Sequence, residues 1–196
     1  MKWLSEKITD YVVKNDAVSE ESYAIYQYGF QIGLEMLCCF VVCMGIAVYL
    51  HMIPEFIVFT GIFMLLRTYA GGVHLNSFAG CFFCSVAVQT CTLWIAGIYE
   101  FSIYAAWSII LISTVLILKM APVENMNREL DSEEKAHCKK VTMKILIAVL
   151  VFAASCTIVG LKDIVSLTAW TVSVILISQY IGAIKYLFEK NKEKRR

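Results

Sequence analysis

The sequence predicts an all-α membrane protein, with six transmembrane helices and an amphipathic N-terminal helix lying at the membrane interface. Three observations carry that expectation. The 196 residues are 59% hydrophobic with a mean hydropathy of +0.69, well beyond what a water-soluble domain of this length carries. The apolar residues fall into six runs. The charges collect at both ends and in one central segment. A single polytopic domain over 1–196 is expected: residues 1–28 interfacial or cytosolic, 29–187 the six-helix membrane region, and 188–196 a basic cytosolic tail. A net charge of only +1 gives no global basic field, so no nucleic-acid partner is expected.

Residues 1–28 are too polar for the core of a signal peptide. Trp3, Leu4, Ile8, Tyr11, Val12 and Val18 recur near helical spacing, with Lys7, Asp10, Lys14 and Asp16 between them. That pattern fits a helix lying on lipid, or a simple cytosolic extension. Phe30 to Leu50 is the first span, with Gln27, Gln31 and Glu35 forming a polar stripe expected to hydrogen-bond between helices or to meet substrate. His51 to Glu55 is a turn around Pro54. The second span runs from about Phe56 to Ala70, with Arg67 at its end, and Gly71-Gly72 breaks the helix. Phe78 to Tyr99 and Phe101 to Leu118 are the third and fourth spans, joined by a tight hairpin.

Residues 119–140 hold five Lys or Arg and five acids in 22 positions, which reads as a solvated cytosolic loop. Val141 to Leu161 and Ile164 to Leu187 complete the six spans. With the basic tail in the cytosol, only Lys162 among all Lys and Arg falls outside, as the positive-inside rule requires. The connection from Arg67 to Cys81 is then cytosolic, where thiols stay reduced.

Chemistry concentrates in that connection. Cysteine attacks as its thiolate and needs a base or a positive field to form it. Cys81 falls in the first turn of the third span, where unpaired N–H groups favour an anion. Cys84, one turn deeper, is expected to be more desolvated and a poorer nucleophile. His74 can serve as base and then as acid, and Arg67 can stabilise a thiolate, an oxyanion or a carboxylate. The competing reading is an ordinary interhelical turn. The C-F-F-C pair has no second pair to complete a zinc site, so no metal and no cofactor are expected. Most of the eight cysteines lie in apolar runs and read as small core residues.

The stretch R-T-Y-A-G-G-V-H-L-N-S-F-A-G-C at Arg67 to Cys81 resembles the signature of the accessory gene regulator B (AgrB) family, membrane endopeptidases that process quorum-sensing peptide precursors. A-P-V-E-N-M-N-R-E-L at Ala121 to Leu130 resembles that family's loop after the fourth span, with Arg128-Glu129-Leu130 where relatives often carry Pro before the final Leu. The resemblance implies Cys81 as nucleophile, His74 as its partner, and Arg67 and Gly72 as further sensitive positions. It also implies an AgrD-like precursor peptide as substrate, a thiolactone or lactone product, lipid surroundings and a homodimer. Two other classes stand beside it: a small peptide transporter or exporter without covalent catalysis, and a thiol oxidoreductase using Cys81 and Cys84.

Overall fold

A computed structural model describes residues 2–14, 22–73, 78–124 and 130–193. Among these it holds seven helices: α1 (Lys2–Lys14), α2 (Tyr23–Tyr49), α3 (Ile53–Ala70), α4 (Phe78–Ile98), α5 (Ile103–Met120), α6 (Ser132–Val159) and α7 (Lys162–Glu193). Six of them, all but α1, are long and apolar enough to cross a bilayer. Each also leaves large apolar side chains exposed, among them Val48, Met64, Trp94, Ile112, Val151 and Ile181. Outward apolar faces on every long helix are what lipid contact requires and water penalises. The chain is a multi-pass membrane protein.

The helix ends differ from the apolar runs for identifiable reasons. α2 begins at Tyr23 rather than Phe30 because its polar first turns are occupied by α1. Gln27 Nε2 donates to Glu6 Oε1 at 3.2 Å, and Tyr23 donates its hydroxyl proton to Asp10 Oδ1 at 2.7 Å. Ser5 and Thr9 are fully buried, whereas Trp3 is 66% and Tyr11 71% exposed, with Lys7 Nζ 4.3 Å above the Trp3 ring. Thus α1 docks on α2 by its small and polar face and turns its aromatic residues away. Val18 and Asp16 lie outside the described residues. Glu35 pairs within its own helix, accepting from Gln31 Nε2 at 3.0 Å, so the interhelical bond expected of the stripe is made by Gln27 instead.

α6 starts at Ser132, inside the charged segment 119–140, because Asp131 and Glu134 form a reciprocal capping box with Asp131 accepting from the Glu134 amide at 2.7 Å. Residues 132–137 are nonetheless exposed, so the segment is both helical and solvated. α3 begins at Ile53 with Pro54 in its first turn, where a missing amide proton is harmless.

α7 is the centre of the bundle and packs against α3, α4, α5 and α6. Val165, Leu167, Ala169, Val172 and Ile175 are all buried along it. Its hydroxyls do not disrupt the core, since Thr168 and Thr171 donate to the carbonyls four residues earlier at 2.8 Å each. Ser166 Oγ instead accepts from the Phe101 amide at 2.9 Å, and the Trp170 and Phe101 rings pack 4.8 Å apart at a tilt of 33°. These contacts fasten the α4–α5 hairpin to one end of α7.

Between α5 and α6, Lys135 Nζ lies 2.9 Å from Glu124 Oε1, and the same oxygen accepts from the Leu130 amide at 3.3 Å. The hydrogen bond from Lys135 is the main cause that holds the Glu124 carboxyl below the ordinary carboxylate range. A carboxylate whose pKa is lower folded than unfolded stabilises above the unfolded value and loses that contribution as pH falls through the folded one. Hydrogen-exchange protection over residues 130–135 is therefore expected to hold from neutral pH down to the ordinary carboxylate range and to decline on further acidification. Glu124→Gln is expected to remove that dependence.

Candidate functional site

The polypeptide leaves α3 through Gly71, whose φ of +81° is closed to most residues. The turn that follows is held by α7. Gln179 Nε2 donates to the Ala70 carbonyl at 3.0 Å, and the Val73 amide donates to the Ser178 carbonyl at 3.0 Å, with Ser178 Oγ 3.3 Å away. Gly72 has φ +153°, and a Cβ built there would collide with Arg67 Nη1 and sit 2.8 Å from Ser178 Oγ. Gly182, one turn beyond Ser178, lets the turn lie flat on α7, because a Cβ there would come within 2.6 Å of the Gly72 carbonyl carbon.

Arg67 points into this clasp from the last turn of α3. Its Nη1 donates to Ser178 Oγ at 3.0 Å and its Nη2 donates to the Val73 carbonyl. Among the described residues no carboxylate pairs with it, and Cys81 and Cys84 line the same cleft. A guanidinium satisfied by neutral oxygens alone keeps its full charge available to an anion.

A cleft of about 320 Å³ opens between α3, α4 and α7. Arg67, Cys81, Cys84, Ser85 and Ser178 supply its sulfur and polar groups at one end, and the remaining wall is mostly apolar. Cys81 is the fourth residue of α4, in the turn whose amides lack intrahelical acceptors. It is half-buried among the helices, while Cys84, one turn deeper along a spanning helix, is exposed on the protein surface. Depth along a helix and cover by neighbouring helices are separate quantities, and α4 turns Cys84 toward the open side of the cleft.

Of the four residues singled out from the sequence, Arg67, Gly72 and Cys81 converge on this cleft and its rim. His74 lies outside the described residues, as does Asn76; its neighbour Val73 lines the cleft. Ser178, Gln179 and Gly182 were not singled out, although a Ser-Gln pair inside the apolar run of the sixth span is a signal of buried polar work. All eight cysteines are free; Cys43 and Cys156 are buried in the core, as expected of small apolar residues, and Cys91 lines the cleft.

The sequence model of the family described as accessory gene regulator B matches residues 5–183. The chain belongs to the AgrB family. A curated relative, accessory gene regulator protein B of Staphylococcus haemolyticus (strain JCSC1435), is 24% identical over 157 residues, covering 78% of this chain and 83% of the relative. No solved structure gives a significant match. AgrB membership makes this a membrane protein of accessory gene regulation. The two stretches that resemble the family touch each other here: the Val123 amide donates to the Ala70 carbonyl at 3.0 Å, and a Cβ on Gly71 would lie 2.5 Å from the Val123 carbonyl oxygen. The loop after α5 therefore forms one side of the turn that α7 clasps on the other. Residues 125–129 of that loop, Arg128 and Glu129 included, lie outside the described residues.

Gly72→Ala is expected to destabilise the chain by about 1–3 kcal/mol, through backbone strain and the forced displacement of Arg67. Gly33→Ala is the control: it sits in α2 with nothing within 4 Å of an added Cβ, and is expected to be neutral or stabilising. Thermal unfolding of both variants in detergent checks the contrast.

Proposed function

We propose that this AgrB-family protein is a membrane cysteine endopeptidase that removes the C-terminal segment of an autoinducing peptide precursor and closes the remainder into a ring. The observation that carries the reading is a cleft lined both by Cys81, in the first turn of α4, and by an Arg67 guanidinium that has no carboxylate partner among the described residues. A cation beside a helix N-terminus is an environment that favours a thiolate.

In this reading His74 takes the Cys81 proton, and the sulfur attacks a backbone carbonyl of the precursor. The oxyanion that forms is stabilised by Arg67 and by the positive end of the α4 dipole. The C–N bond breaks, His74 returns the proton to the leaving amine, and the N-terminal part stays as a thioester on Cys81. A cysteine or serine within the bound peptide then attacks the thioester, releasing Cys81 and closing a thiolactone or lactone. Thioester exchange is close to balanced, whereas making a thioester from a peptide bond is uphill. Net flux therefore depends on removal of the cleaved segment or of the ring.

The reading places the site at the cytosolic face, supported by the distribution of Lys and Arg, which leaves only Lys162 outside. It places α1 in the same interface, supported by the outward Trp3 and Tyr11. The partner is an AgrD-like precursor lying in that interface, where confinement to a surface raises its effective concentration. A homodimer is the proposed assembly, checked by crosslinking of the full chain in membranes.

A second reading is favoured by the length of the cleft, whose α4 wall runs from Cys81 to Ile95, roughly 21 Å at 1.5 Å per residue. Such a groove suits an exporter that moves a peptide without covalent chemistry.

Intact-mass analysis of the protein with precursor separates the two: an adduct on Cys81 followed by a macrocycle supports the endopeptidase, and vesicle flux with no adduct supports the exporter. Cys81→Ser is expected to abolish cleavage while Cys84→Ser retains most of it, and full cleavage by the Cys81 variant would reject the nucleophile. His74→Ala is expected to slow single-turnover acylation by about 10²–10⁴-fold with folding intact; an unchanged rate would remove it as the base.

A further inference from the structure

The Val73 peptide, immediately before His74, is gripped at both of its polar atoms. Its carbonyl accepts from Arg67 Nη2, and its amide donates to the Ser178 carbonyl, with the Ser178 hydroxyl within 3.3 Å. The same hydroxyl oxygen accepts from Arg67 Nη1 at 3.0 Å. Ser178 thus meets the cation on one side and the backbone leading to position 74 on the other, from a helix more than a hundred residues away in sequence.

We propose that Ser178 is a positioning residue of the cysteine site. Its hydroxyl locks the Arg67 guanidinium to the Val73 peptide, so that the cation is held in one place in the cleft that Cys81 also lines. The inference rests on the reading of Cys81 as nucleophile given above. A hydroxyl suits the task because its two lone pairs can accept from a guanidinium and an amide at once. Removal of the hydroxyl leaves Nη1 without an acceptor in a largely apolar cleft, and a buried donor without a partner drives the side chain to a new position. The backbone of the turn does not depend on it. The Val73 amide keeps its 3.0 Å bond to the Ser178 carbonyl, and the Ala70 carbonyl keeps Gln179, whatever side chain occupies position 178. Loss of the hydroxyl is therefore aimed at the placement of Arg67 and not at the fold of the turn.

The test uses the full-length protein in lipid nanodiscs, with synthetic precursor peptide in one arm and iodoacetamide alone in the other. In the first arm, Ser178→Ala is expected to slow single-turnover formation of the Cys81 adduct by about 10- to 100-fold, with precursor affinity unchanged. In the second, the rate of Cys81 alkylation at fixed pH is expected to change, with that of Cys84 as reference. Ser178→Thr, which keeps the hydroxyl, is expected to restore both. Parental acylation and alkylation rates in a folded Ser178→Ala protein would overturn the proposal, as would equal losses in Ser178→Ala and Ser178→Thr. Should Ser178→Ala fail to fold, Arg67→Lys supplies the same measurement, since an ammonium keeps the charge but cannot bridge Ser178 Oγ and the Val73 carbonyl in the guanidinium's fixed fork; parental rates in both arms there would also overturn it. If the parent protein forms no Cys81 adduct, the endopeptidase reading fails, and the alkylation arm still decides whether Ser178 sets the environment of the Cys81 sulfur.

Discussion

A helix that ends near a membrane leaves carbonyls and amides that lipid cannot satisfy, and the way this chain satisfies them at the end of α3 governs the rest. The Ala70 carbonyl accepts from Gln179 and from the Val123 amide, and the Val73 peptide is held by Arg67 and Ser178. Each unmet group would cost several kcal/mol in a medium without water. The turn is therefore not free to take many shapes. It is pinned by α7 on one side and by the loop after α5 on the other, with Gly71, Gly72 and Gly182 supplying the closeness that such pinning needs. The bonds that finish the α3 backbone are also the bonds that aim the Arg67 side chain.

That coupling explains how a cation can stand at the edge of an apolar cleft. An arginine removed from water without a carboxylate is costly, and the cost is offset by hydrogen bonds to the Ser178 hydroxyl and the Val73 carbonyl, both neutral. Pairing with a carboxylate would have been a more direct solution, but it would have cancelled the charge. Neutral acceptors keep the guanidinium oriented and leave its field for the sulfurs opposite. The price in stability falls on a turn that is over-determined by its backbone contacts, which is where a strained or desolvated group can persist.

The six apolar runs and the glycine break were legible in the sequence, because each is expressed over a few turns of one helix or across one short connection. What escaped was long-range or set by local hydrogen bonding. Ser178 and Gln179 lie 105 to 111 residues from the groups they hold, and nothing in their own run says which turn they face. The start of α6 is fixed by the Asp131–Glu134 capping box inside a segment whose composition says only that it is wet. Glu35 takes Gln31 of its own helix as partner, where the stripe of polar residues suggested a neighbour. The enclosure of Cys81 relative to Cys84 depends on which side of α4 the other helices cover, a property of rotation that spacing alone leaves open.

The cysteines along α4 also shape the cleft. Cys84, Ser85, Cys91 and Thr92 share the cleft wall with Val88 and Ile95, at intervals of three and four residues that form one helical stripe. Opposite stand Val174, Ile177, Ser178 and Ile181 of α7. Two helices whose facing residues were large would interdigitate and close the gap, whereas two that were uniformly small and free to move would approach until backbones touched. Neither happens here, where α7 is fastened toward both ends of the cleft. Ser166 and Trp170 hold the hairpin that follows α4, and Ser178 and Gln179 hold the turn that precedes it. With both ends fixed by polar contacts, small side chains between them produce a groove instead of a contact. The small cysteine side chains thus make room along α4, and Cys81 and Arg67 stand together in the lining at one end of the groove.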